Sequence, residues 1–257
     1  MSVAAVATDT ALGDADVAAV ASLIGDPTRA KVLMALLDGR SLAASVLAAE
    51  AGVSASTISE HLTRLVEAGL LTVTQEGRSR FFRLAGSDVA EALEAIARIA
   101  PPEPIRSLRQ GTHAHALRQA RTCYNHLAGR LGVALMSGLL DREMLYGGDG
   151  FHHPETAKGD HLSAPGSALV YGLTDLGARE LSAFGIDLGA VASHRPSVRY
   201  CLDWSEQRHH LAGPLGTALA DRMFELDWIR RGRRRVVTPT ESGEQGLVDV
   251  FGVRLDP

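Results

Sequence analysis

The chain has 257 residues, 46% of them apolar and 22% charged, and a net charge of −4, an ordinary soluble composition for one large domain or two smaller ones. Its only cysteines, Cys123 and Cys201, exclude a disulfide scaffold, and Arg, Asp or Gly interrupts every apolar run before the roughly 18 residues of a membrane span. Residues 1–100 carry 8 Lys/Arg against 12 Asp/Glu, which excludes a uniformly basic nucleic-acid binder, so any such footprint must come from local placement of charge.

The N-terminus lacks the basic start and apolar core of a signal peptide, and a cytoplasmic location is expected. Residues 1–13 show no periodicity and read as a frayed tail. Asp16 can cap a short helix over Val17, Val20 and Leu23/Ile24, and Asp26-Pro27 restarts the chain into a helix with Val32, Leu33, Leu36 and Leu37 inside and Gly39 at its end. Leu42 to Ala51 reads as a short Ala-rich helix and Gly52-Val53-Ser54 as a tight turn. Ser54 then caps a helix to about Glu67. At 100° per residue, Ile58, Leu62, Leu65 and Val66 share one face, and Ser56, Glu60, Thr63 and Arg64 the other. Gly69 stops this helix. Leu70–Thr74 and Phe81–Leu84 read as strands bracketing a 75–80 tip, a hairpin wing. Ser87 or Asp88 caps a further helix with Val89, Leu93, Ile96 and Ile99 in one stripe.

Three prolines in Pro101-Pro102-Glu103-Pro104 can continue neither helix nor central strand, so a linker is placed at 101–110. Beyond it, Thr112 to about Leu140 is expected to be one long helix, and the Gly/His/Pro-rich stretch from Gly147 to Gly166 a mobile loop. Residues 126–135 (HLAGRLGVAL) and 210–219 (HLAGPLGTAL) match at eight of ten positions, an internal repeat. Each copy is followed by a strand-like run and a helix start, at Leu173-Thr174 and Val237-Thr238. The expected fold is mainly α with small β wings (α+β): a winged helix-turn-helix over 14–100, used for DNA binding and dimerisation, then a domain over 111–257 made of two related α/β half-units.

The run Gly52 to Leu65 with Ala68-Gly69-Leu70-Leu71, preceded by Ile24-Gly25-Asp26-Pro27-Thr28-Arg29 and followed by the wing Gly77 to Leu84, resembles the helix-turn-helix of the ArsR family of bacterial repressors over about a third of the chain. The residue chemistry points the same way. Small polar Ser56, Thr57 and Ser59 let a helix backbone approach base edges in the major groove, and Glu60 can accept from cytosine N4. Arg64 and the wing's Arg78, Arg80 and Arg83 suit phosphates or the adjacent minor groove, and His61 completes the candidate DNA-facing set. The resemblance implies repression of an operator by a homodimer formed through the first and last helices of the domain, and the stripe from Val89 to Ile99 is suited to that contact.

The resemblance also implies release of DNA when a metal or oxidant fills a site. The family's familiar positions are empty here: the 42–51 helix has no cysteine, and the helix from Asp88 to Ala100 no histidine. The repeat supplies another donor set. Cys123 and His126 are expected on one face of a helix, with His115 and Gln119 along it, and Cys201 and His210 accompany the second copy. Together they form a candidate Cys₂His₂ site for a divalent ion of the zinc, cadmium or lead type. Buried structural cysteines, a Cys123/Cys201 thiol switch, and an organic-ligand pocket walled by Tyr124, Phe184 and Trp204 stay open beside it. Arg230 to Arg235 reads either as an added DNA contact or as a solvated charged turn. No phosphate loop, dinucleotide fingerprint or Gly-x-Ser-x-Gly elbow is present, and the His152, His153 and His161 loop has no fixed ligand spacing, so no enzyme is expected.

Overall fold

The computed structural model describes residues 14–101, 107–162, 164–194 and 196–255. The expected tail, 1–13, and half of the proline linker, 102–106, lie outside them. Helix α1 (Val17–Ile24) is capped by Asp16, which accepts from the Ala19 amide. Helix α2 (Pro27–Ala35) is capped by Asp26, which accepts from the Thr28 and Arg29 amides. Its helical turns end before Gly39, whose φ of 75° closes the following turn. Leu42 does not begin a helix. Leu42–Ala43 form strand β1, paired with Phe82 and Phe81, and helix α3 (Ala44–Ala51) follows.

Gly52 at φ 74° turns the chain into α4 (Ala55–Glu67), where the Ser54 hydroxyl accepts from the Thr57 amide as expected of an N-cap. Strands β2 (Leu71–Glu76) and β3 (Ser79–Leu84) are longer than expected and the wing tip shorter. Gln75 pairs with Arg80 and Glu76 with Ser79, which leaves Gly77-Arg78 as the turn. The sheet order is β1-β3-β2. Helix α5 (Ser87–Ile99) has Gly86 at its cap position and no side-chain cap, so the expected Ser87 or Asp88 cap is not made. Val32, Leu33, Leu36, Leu37, Leu47, Ile58, Leu62, Leu65, Phe82 and Leu93 form one buried core, each large apolar side chain contributing about 1.5–3 kcal/mol.

The long helix expected over Thr112–Leu140 does not form. The chain makes α6 (Leu108–Gln119), strands β4 (Arg121–Cys123) and β5 (His126–Ala128), then α7 (Gly129–Asp141). Two left-handed residues force the break, Tyr124 at φ 54° and Gly129 at φ 75°. A Cβ at Gly129 would stand 2.6 Å from the Arg118 carbonyl oxygen. Next come β6 (Leu145–Tyr146), β7 (Gly172–Leu173), α8 (Asp175–Ala183) and α9 (Leu188–Ala192). The second copy repeats the plan with β8 (Arg199–Leu202), β9 (His209–Ala212), α10 (Gly213–Glu225), β10 (Ile229–Arg231), β11 (Val237–Pro239) and α11 (Glu241–Phe251).

Each half-unit is therefore hairpin, helix, hairpin, helix, and the two share one core that includes Leu131 and Leu135 of α7 and Leu215 and Leu219 of α10. They pack crosswise, α7 on β9 and α10 on β5. The repeated glycines make this possible. A Cβ at Gly132 would come 2.4 Å from the Leu127 carbonyl oxygen and 3.4 Å from His210 Cβ, and one at Gly216 would meet Leu211 and His126 in the same way. The loop from Gly147 to Gly166 is anchored rather than free: bridges join Phe151 to Arg208, Leu162 to Leu202 and Pro165 to Cys201. Buried Asp160 accepts from the Ser167 and Ala168 amides and the Tyr200 hydroxyl.

Candidate functional site

Helix α4 presents Ser56, Thr57, Glu60 and Arg64 to solvent, and Arg78, Arg80 and Arg83 are exposed on the wing. Arg80 reaches back to the Ser59 hydroxyl at 3.3 Å, so wing and helix form one surface. Glu60 pairs with Arg64 at 2.8 Å, an exposed contact that is weak enough to exchange for a partner. His61 is turned inward, 3.6 Å from the Asp26 carboxylate at the start of α2.

The hairpins bring the second set together. Cys123 and His126 are not on a helix. They are directly opposed across the β4–β5 hairpin, as Cys201 and His210 are across β8–β9. All four are buried, and one donor atom from each lies within 4.8 Å of the others. The imidazole rings are 5.2 Å apart. His126 Nδ1 faces the Asn125 side-chain oxygen at 3.3 Å and His210 Nδ1 faces Asp203 at 3.2 Å. His126 Nε2 and both ring nitrogens of His210 are buried with no hydrogen-bond partner, His210 Nδ1 having only its ionic contact with Asp203, an arrangement that costs free energy unless something occupies it. A histidine held by a carboxylate on one nitrogen and open on the other is the usual form of an imidazole metal ligand. Tetrahedral Zn–S and Zn–N bonds of about 2.3 and 2.0–2.1 Å require donors roughly 3.3–3.8 Å apart, so an ion would draw these four slightly inward.

Asp203 organises the support. It accepts from Arg121 at 2.7 Å, the Gly129 amide at 2.7 Å, and the Ser205 amide and hydroxyl. Burial pushes its carboxyl up, but hydrogen bonding to His210 and the Arg121 charge outweigh that and hold it well below the usual range. Burial likewise opposes charge on His210, yet the Asp203 carboxylate and the Cys123 sulfur beside it raise it to about 9. Hydrogen bonding with Cys201, burial and the Glu94 carboxylate push the Cys123 thiol up. His210 thus titrates higher folded than unfolded, about 6.5. Its stabilising contribution is complete below pH 6.5 and is lost as the pH rises through 9. The metal-free chain is accordingly expected to unfold at a lower urea concentration at pH 9.5 than at pH 6.5. An unchanged midpoint would contradict the charged His210.

Other candidates lie apart. His115 pairs with Gln119 on α6, His153 with Asp149 and Glu155, and His209 turns to the Tyr171 hydroxyl at 2.8 Å, with burial lowering it to about 4. The expected aromatic wall does not assemble. Phe184 packs on Trp228 and Phe251, Trp204 covers Arg121, and Tyr124 packs against the core of the first domain. The arginine run forms an exposed charged turn before β11, as one of the two expected readings had it, but it is tethered. Arg230 pairs locally with Asp227, whereas Arg233 and Arg234 pair with Glu50, Arg235 with Glu94, and Arg231 donates to the Asp38 carbonyl, all in the first domain. Sequence reasoning missed Glu94, which accepts from the Cys123 thiol at 3.2 and 3.3 Å, and the buried Arg121. Their partners lie 29 and 82 residues away, beyond any local pattern.

A winged helix-turn-helix with a polar reading helix and an arginine-bearing wing defines a DNA-binding transcriptional regulator. Residues 26–73 match the model of the bacterial regulatory protein arsR family. The HTH-type transcriptional regulator YdfF of Bacillus subtilis (strain 168) is 38% identical over 242 residues, covering 93% of this chain and 99% of that protein. The chain belongs to the ArsR family of bacterial regulators. The regulator CmtR of Mycobacterium tuberculosis (strain H37Rv) is 41% identical over 76 residues, 30% of this chain and 64% of CmtR. An NMR structure described as the cadmium metal-sensor CMTR of that species is 34% identical and covers 36% of this chain and all of that one, with a TM-score of 0.29. No helix among the described residues is long and apolar enough to cross a membrane.

Proposed function

We propose that the protein is an operator-binding homodimer whose DNA affinity is set by a divalent soft or borderline metal ion, zinc or cadmium in type, held by Cys123, His126, Cys201 and His210. The carrying observation is the convergence of four buried donors, two of them ring nitrogens without any partner. Two thiols and two imidazoles in a closed tetrahedral set favour a structural or sensory ion over a catalytic one, because no coordination position is left for water or substrate. The cadmium sensor named above resembles only the DNA-binding region, so it supports the class of regulator and not this site. Dimerisation has its own support: Val17, Val20, Ile96 and Ile99 on α1 and α5 are exposed apolar side chains, which a second copy would cover.

The test is metal analysis of the purified full-length chain, with operator affinity measured before and after addition of Zn²⁺, Cd²⁺ or Pb²⁺. A chain that takes up none of them, or whose DNA affinity ignores them, contradicts the proposal. Ser56, Thr57, Ser59, Glu60 and Arg64, with Arg78, Arg80 and Arg83, are proposed as the DNA-facing residues, and His61 as a helix-packing residue at their edge. Replacing Arg78 and Arg80 by alanine is expected to lower the slope of log affinity against log salt by about one for each phosphate no longer neutralised. Replacing Arg233 and Arg234 should leave that slope unchanged, since these two face Glu50. A native slope for the Arg78/Arg80 variant would remove the wing from the interface.

A further inference from the structure

The four donors are not sealed within the second domain, because the hairpin carrying two of them touches the DNA-binding domain at its tip. The β4–β5 turn consists of Tyr124 and Asn125 alone, so a residue between two donors, Tyr124, packs against the core built around α2, α3 and α4. Its carbonyl oxygen faces Gly39 at the end of the α2 turn, 3.6 Å from where a Cβ would stand. On the other flank, Glu94 of α5 holds the Cys123 sulfur and is itself paired with Arg235 at 3.5 Å. Beside the tip lies a cavity of about 660 Å³ lined by Ala90 and Glu94 of α5 together with Tyr124, His126 and Cys201. The tip is therefore packed on one side and has room on the other.

Donor atoms up to 4.8 Å apart must close to roughly 3.3–3.8 Å around a tetrahedral ion. Side-chain torsions can supply part of that movement, but Cys123 and His126 flank a two-residue turn, so any backbone share of it carries Tyr124 and Asn125 with it. Packed interfaces answer displacements of this size by switching between discrete arrangements rather than by bending smoothly. The ion then binds one arrangement better than the other, which is the condition for shifting an equilibrium.

We propose that the β4–β5 hairpin tip transmits ion occupancy to the DNA-binding domain, and that Tyr124 is the positioning residue through which the winged domain reads it. The inference rests on the metal-site reading above. Tyr124 is not a donor, so its truncation separates ion binding from the response to the ion.

The experiment uses the full-length chain, Cd²⁺ as the ion, and a DNA duplex selected by the native chain from a random-sequence pool. Cd²⁺ affinity and DNA affinity with and without Cd²⁺ are measured for native, Tyr124→Ala and Tyr124→Phe chains. The native DNA affinity is expected to change about 5- to 150-fold on adding the ion, the usual range of coupling between sites. For Tyr124→Ala the change should fall to about twofold or less, while Cd²⁺ affinity stays within about threefold of native. Tyr124→Phe keeps the ring and should keep the response. Should Tyr124→Ala not fold, hydrogen exchange on the native chain decides. Added Cd²⁺ should alter protection at 36–40 and along α5 as well as in β4–β5. A Tyr124→Ala chain that responds like the native one, or exchange changes confined to residues beyond 107, overturns the inference alone. A native chain that takes up no Cd²⁺, or that binds it with no change in DNA affinity, overturns the metal-regulation reading and this inference with it.

Discussion

Replacing Asp203 by alanine is expected to destabilise the metal-free chain by about 3–5 kcal/mol, the cost of stripping one partner from a buried ion pair. Arg121 is 2% exposed and Asp203 is fully buried, so the guanidinium left behind cannot turn to water. The same carboxylate also receives the Gly129 amide at the break between β5 and α7 and faces the His210 ring. One substitution therefore orphans a backbone donor and strips the carboxylate from two cationic side chains, while Arg121 keeps the Leu117 carbonyl and the Ser205 hydroxyl. In a chain of this size the loss corresponds to a fall in melting temperature of roughly 6–20 °C. Urea denaturation followed by tryptophan fluorescence would measure it. Asp203→Asn should fall between native and alanine, because it keeps the shape and some hydrogen bonds while losing the charge. A loss below about 1 kcal/mol for Asp203→Ala would show that the Leu117 carbonyl and the Ser205 hydroxyl suffice to hold the Arg121 charge.

Cys201→Ser is expected to weaken Cd²⁺ or Zn²⁺ binding on the order of 10²- to 10³-fold. Structural zinc sites bind with about 10–16 kcal/mol. A quarter of that, about 3–4 kcal/mol per donor, corresponds to two to three decades at about 1.4 kcal/mol for each tenfold. A serine hydroxyl at the same position stays protonated near neutral pH and is a poor ligand for a soft cation. The change can be read by competition with a chromophoric chelator and, for Cd²⁺, by loss of thiolate-to-metal absorbance. His209→Gln is the neighbouring control. His209 points to Tyr171 rather than into the cluster, so its replacement should leave ion affinity within about threefold, well short of losing a ligand. Equal losses for both variants, or no loss for Cys201→Ser, would dismantle the four-donor assignment.

The elements differ in how openly the residues announce them. Helix α4 was legible because Ile58, Leu62 and Leu65 recur at helical spacing behind a capping serine, and all three are buried. The β4–β5 hairpin was not. Three-residue strands reading Arg-Thr-Cys and His-Leu-Ala are too short for alternation to show, and they adjoin Leu- and Ala-rich runs that favour helix. The signal available was Gly129, recurring as Gly213 at the same place in the second copy, since both take positive φ. An offset of three serves a helix face and a two-residue hairpin turn alike, so Cys123 and His126 could be paired from sequence while their backbone could not be assigned. The arginine run was ambiguous for another reason. Its partners Asp38, Glu50 and Glu94 are scattered through the first domain, and only the folded chain brings the two sets of charge together.

The duplication also sets the molecularity of the proposed ion binding. Each half-unit contributes one thiol and one imidazole, so neither can enclose a tetrahedral ion alone. Because α7 and α10 are joined by one polypeptide and share one core, the halves meet as an intramolecular pair, at an effective concentration that dilution does not alter. DNA reading by the proposed dimer, in contrast, weakens as the protein is diluted. Ion occupancy per chain should therefore stay constant across concentrations at which the operator complex falls apart.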